Sequence, residues 1–74
     1  MPQQHQLDVR PLDIPDRFNA IFGKLDELAR GDTLLLINDF EPVPLFGEMQ
    51  NRGYTYEKQQ KGPSEWHIKI SKAT

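Results

Sequence analysis

The sequence predicts an α+β fold, a two-layer sandwich in which two helices lie on one face of a four-stranded mixed sheet. Three observations carry this expectation. Phe18, Ile21, Phe22, Leu25 and Leu28 recur at spacings of three and four, which is one apolar stripe of a helix. The run Leu34-Leu35-Leu36-Ile37 fills both alternating sets of a strand, as a central strand apolar on both faces requires. Two alternating segments, residues 54–58 and 65–70, flank Lys61-Gly62-Pro63-Ser64 and read as a hairpin.

Taken in order, Leu7-Asp8-Val9-Arg10 alternates apolar and polar side chains before Pro11, giving a short first strand. Asp13 is placed to cap the first helix, with Pro15 and Asp16 in its first turn, where a missing N–H is tolerated and negative charge meets the helix dipole. The stripe then faces the core and leaves Arg17, Lys24 and Glu27 to water, and Gly31 stops the chain before the second strand at residues 33–38. The loop Asn38-Asp39-Phe40-Glu41-Pro42-Val43-Pro44 opens a second helix that turns Leu45, Phe46 and Met49 to the core and closes at Gly53. In the hairpin Tyr54, Tyr56, Trp66, Ile68 and Ile70 point inward, and Thr55, Glu57, Glu65, His67 and Lys69 outward. The order strand, helix, strand, helix, strand, strand with right-handed crossovers puts both helices on one face and leaves the other uncovered. Leu35 and Ile37, or Leu34 and Leu36 in the opposite phase, then meet solvent or a partner there.

A chain of 74 residues makes one domain, here 1–74 with a core at about 7–70 and mobile tails at 1–5 and 72–74. The net charge is −2, but ten acidic side chains face five basic ones up to Glu57, while four lysines face Glu65 beyond it. Such hairpin lysines keep sheet edges from pairing, and they are also a feature that favours nucleic acid. There is no cysteine, so disulfides and thiolate metal sites are excluded and a reducing compartment, the cytoplasm, is expected. The opening Met1-Pro2-Gln3-Gln4-His5-Gln6 has no targeting character, and the longest aliphatic run is far too short to span a bilayer, so no membrane association is expected.

The segments Leu7-Asp8-Val9-Arg10 and Asn38-Asp39-Phe40-Glu41-Pro42-Val43-Pro44-Leu45 resemble an uncharacterised domain-of-unknown-function family, numbered twenty-two forty-nine. That family is similar to the TusA-like (SirA-like) sulfur carriers, whose opening reads Leu-Asp-x-x-Gly-x-x-Cys-Pro-x-Pro. The resemblance covers about residues 7–70 and implies the same two-layer fold. It sets the carrier cysteine on Ile14, its following proline on Pro15 and the second proline on Arg17. In the carriers that cysteine sits at a helix start, where the dipole favours a thiolate. Isoleucine offers no lone pair, so sulfur transfer does not carry over. Members of the family joined to hemerythrin-like domains imply a protein partner, hemerythrin-like or redox in character, and a setting in iron, oxygen or nitric-oxide stress.

No catalytic constellation emerges. His5 and His67 stand apart with no ligand spacing around them, so neither metal nor cofactor is expected. Capping and turn roles account for Asp13, Asp16 and Asp39 but not for Asp8. The leading expectation is a non-enzymatic binding or accessory module that works through Asp8, Arg10, Ile14, Pro15, Arg17, Asp39, Pro42 and Pro44, with the open sheet face as a second docking or homodimer surface. An alternative of a different class is a small-anion-binding protein or enzyme that uses the first helix N-terminus, with Arg10 and Arg17 beside it and Asp8 or Asp39 as base. Nucleic-acid binding ranks third, because the chain is acidic and its outward strand residues offer no stacking platform.

Overall fold

The computed structural model describes residues 3–72. Its elements are β1 (Gln4–Asp8), α1 (Ile14–Asp26), β2 (Thr33–Asn38), α2 (Val43–Asn51), β3 (Tyr54–Gly62) and β4 (Glu65–Lys72), in the expected order. The four strands form one mixed sheet in the spatial order β1-β2-β4-β3. β1 runs parallel to β2, and β4 runs antiparallel to both β2 and β3. The crossovers β1–α1–β2 and β2–α2–β3 therefore both join parallel strands and step the same way across the sheet, so one handedness sends both helices to one face.

That face holds the core. Ile21, Phe22 and Leu25 of α1 and Leu45, Phe46 and Met49 of α2 cluster with Leu34, Leu36, Ile68 and Ile70 of the two central strands. Phe46 stacks on Tyr56 with ring centroids 4.3 Å apart, tying α2 to the edge strand β3. Gly53, at φ 83°, takes the left-handed conformation that ends α2 and lets β3 begin at the next residue. The hairpin turn is tighter than expected: only Pro63 and Ser64 separate β3 from β4, and a register shift between Gln60 and Gly62 absorbs the twist of a turn that contains no positive φ.

Four expectations are corrected. β1 begins at Gln4, so Gln4 and His5 are paired with Thr33 and Leu34 rather than lying in a tail, and Lys72 belongs to β4. The remaining tail positions, 1, 2, 73 and 74, lie outside the described residues. Asp32 explains the early start, since its carboxylate accepts the Gln3 and Ala29 N–H groups and sits 3.2 Å from His5 Nε2. On α1 two positions exchange roles: Arg17 is buried and Phe18 is 45% exposed, because Arg17 turns in to bond Asn38 at the end of β2 and Asp39 beyond it, while Phe18 lines a groove with Phe40 of the β2–α2 loop. Asp13 occupies the N-cap position of α1 but its side chain makes no capping hydrogen bond. On the uncovered face Ile37 is buried all the same, flanked by Asp8 and His67 in the register.

Candidate apolar docking groove at the start of the first helix

Asn38 ends β2 on the same side as Leu34 and Leu36, so its amide points inward and must be satisfied there. Arg17, one turn into α1, supplies the donor. Its Nη1 donates to Asn38 Oδ1 at 2.9 Å and to Asp39 Oδ1 at 2.7 Å. Nη2 donates to the Arg10 carbonyl at 3.1 Å and to Asp39 Oδ2 at 3.3 Å, and Nε to the Leu12 carbonyl at 2.9 Å. Those five contacts use the five N–H donors of a guanidinium, so the fork is saturated from within the chain. The same contact holds the Asp39 carboxyl below the usual carboxylate range.

This clamp shapes the loop that follows. Asn38 Nδ2 donates to the Phe40 carbonyl at 2.9 Å, and the Arg17 guanidinium lies 5.7 Å from the centre of the Phe40 ring. Three segments, residues 10–12, the first turn of α1 and residues 38–40, are thereby fixed to one buried cation. Pro42 at the N-cap of α2 and Pro44 in its first turn stiffen the far side. Between them lies a groove of about 200 Å³ lined chiefly by Ile14, Phe18, Phe40, Pro42, Pro44 and Leu45, with Arg17 and Asn38 at its base. Ile14 is 61% exposed as the first residue of α1.

The expected site residues thus separate into two groups. Ile14, Arg17, Pro42 and Pro44 line the groove, and Asp39 braces it through Arg17. Pro15 is exposed in the first turn without lining it. Asp8 and Arg10 lie elsewhere: Arg10 Nε and Nη2 donate to Asp8 at 2.9 and 2.7 Å, and Arg10 stands 3.7 Å from Glu65. Asp8 also accepts the Arg10 N–H at 3.0 Å, which gives it the structural role that capping rules did not supply. Glu65 in turn meets His67 at 2.6 Å, so a polar chain crosses the open sheet face beside Ile37. That face keeps a shallow concavity of about 400 Å³ around Leu35, rimmed by Lys61, His67 and Lys69. Among the described residues no three His, Asp or Glu side chains gather as metal ligands. No helix of the described residues is long and apolar enough to cross a membrane.

Phe18 was expected in the core and not at the site, whereas Phe40 lies within the Asp39–Pro44 loop that was expected to bind without being singled out there. The inward phase of Asn38 was the available signal for the burial of Arg17, and so for the outward turn of Phe18 beside it, because a buried amide at the end of an apolar strand needs a hydrogen-bond partner from a neighbouring element.

A family model described as Uncharacterized conserved protein (DUF2249) matches residues 6–72. The chain belongs to this family. The DUF2249 match spans the whole groove, from the Arg10 carbonyl to Leu45, together with both helices and the hairpin. No curated protein and no solved structure matches the chain.

Proposed function

We propose that this DUF2249 chain is a non-catalytic binding module of TusA-like fold that works in the cytoplasm, docking a protein partner in the groove between the start of α1 and the β2–α2 loop. One observation carries the reading. Among the described residues, the large apolar side chains left substantially exposed, Leu12, Ile14, Phe18, Phe40 and Val43, all belong to the segments that form or adjoin this groove. Exposed apolar side chains gathered at one end on a rigid support mark an interaction surface, whereas scattered ones carry no message. Rigidity comes from the Arg17 clamp and the two prolines, which lower the entropy lost on binding. With no thiol, the helix start cannot carry a persulfide. Its two neighbouring arginines are engaged by carboxylates of the chain itself, so an incoming anion would have to displace them. The family resemblance points to a hemerythrin-like or redox partner.

The test is affinity capture from native cells with the wild-type chain and two surface variants. The double variant Ile14→Ser/Phe40→Ser is expected to lose the partner while melting like the wild type, and Leu35→Ser on the open sheet face is expected to retain it. Loss of the partner from Leu35→Ser alone would move the site to the sheet.

A further inference from the structure

The groove's size and the charges around it say what kind of segment it takes, on the reading that it is a docking site. At about 200 Å³ it lies below the roughly 300–1,000 Å³ of sites that enclose small molecules, and matches one or two apolar side chains. A second copy of the chain meeting this one groove to groove is a poor occupant, because it would bring the unpaired Asp13 and Asp16 of both copies together. The charges select further. Each cation near the groove is already matched, Arg17 by Asp39, Arg10 by Asp8 and Lys58 by Glu41. Asp13 and Asp16, both exposed at the first turn of α1, make no ion pair among the described residues. Two carboxylates outweigh the roughly half positive charge of a helix N-terminus, so this end of the molecule carries net negative potential.

We infer that the groove receives a short cationic segment of a partner protein, in which one apolar anchor is flanked by lysine or arginine. The anchor fills the space between Phe18 and Phe40, and the flanking cations lie over the first turn of α1. Specificity then comes from charge and burial from the anchor, the usual division at a small interface.

Amide shifts of the isotope-labelled chain, followed by NMR during titration with three synthetic peptides, test this. The peptides carry a leucine between lysines, a leucine between glutamates, and an alanine between lysines. The lysine–leucine peptide is expected to shift Ile14, Phe18 and Phe40 saturably, about fivefold more tightly than the glutamate–leucine peptide. The Asp13→Asn/Asp16→Asn variant should bring those two peptides to equal affinity, and the alanine peptide should shift none of the three residues. Equal binding of the lysine and glutamate peptides to the wild type would overturn the charge inference and leave the docking reading standing. Shifts as large with the alanine peptide would overturn the anchor. Concentration-dependent shifts at Ile14 and Phe40 without peptide would show a second copy in the groove and overturn the inference as a whole. A silent groove with every peptide would overturn it as well, while capture of the native partner judges the docking reading separately.

Discussion

Replacing Arg17 by alanine would strand the Asn38 amide oxygen, leave the Asp39 carboxylate without its partner and free two backbone carbonyls. A buried polar group left unpaired costs about 1–3 kcal/mol, more for a charge, and Asp39 can still turn to water because it is partly exposed. Arg17→Ala is therefore expected to destabilise the fold by about 3 kcal/mol in urea unfolding. Arg17→Lys should rescue little of it, since an ammonium cannot reproduce the planar fork. Acid dependence follows from the same pair. The Asp39 carboxyl titrates lower in the folded chain than in the unfolded one, so its contribution is present above the unfolded value of about 3.9 and is lost as pH falls through the folded one. The difference in urea midpoint between wild type and Asp39→Asn should accordingly be largest near neutrality and narrow below about pH 4.

At the scale of elements, a glycine inside a helix and one just past a helix end respond differently to an added side chain. Gly23 is exposed within α1, and a Cβ built there meets nothing within 4 Å, so Gly23→Ala should stabilise the chain by about 1 kcal/mol. Gly53 has equally open surroundings but sits at φ 83°, so Gly53→Ala should destabilise by about 1–2 kcal/mol, both changes being read as melting temperature. Such elements were legible because period and punctuation reflect the forces that build them: α1, β2 and the hairpin follow from stripe, run and alternation. β1 was only half legible, since Gln4-His5-Gln6 has no apolar signal and its place depends on the distant Asp32 carboxylate. Half of the site was legible too. Ile14, Pro42 and Pro44 announce a helix start and a stiff loop, but the exchange of Arg17 and Phe18 depends on the hydrogen bonds of Arg17 to Asn38 and Asp39, which hydrophobic period does not encode. The open face looked apolar from Leu35 and Ile37; the Asp8, Arg10, Glu65 and His67 chain that crosses it is a tertiary feature.

For the molecule as a whole, the two helices and the sheet make a scaffold with one apolar end, and the lysine-rich hairpin supplies a polar remainder. The central claim is that this end, and not the open sheet face, meets the partner. Site-specific photo-crosslinking in native cells tests it most directly, with a photoreactive phenylalanine analogue placed in turn at Ile14, Phe40, Leu35 and Lys69. One discrete adduct from positions 14 and 40 and none from 35 and 69 is the expected result; the same adduct formed from 35 or 69 and absent at 14 and 40 would contradict it.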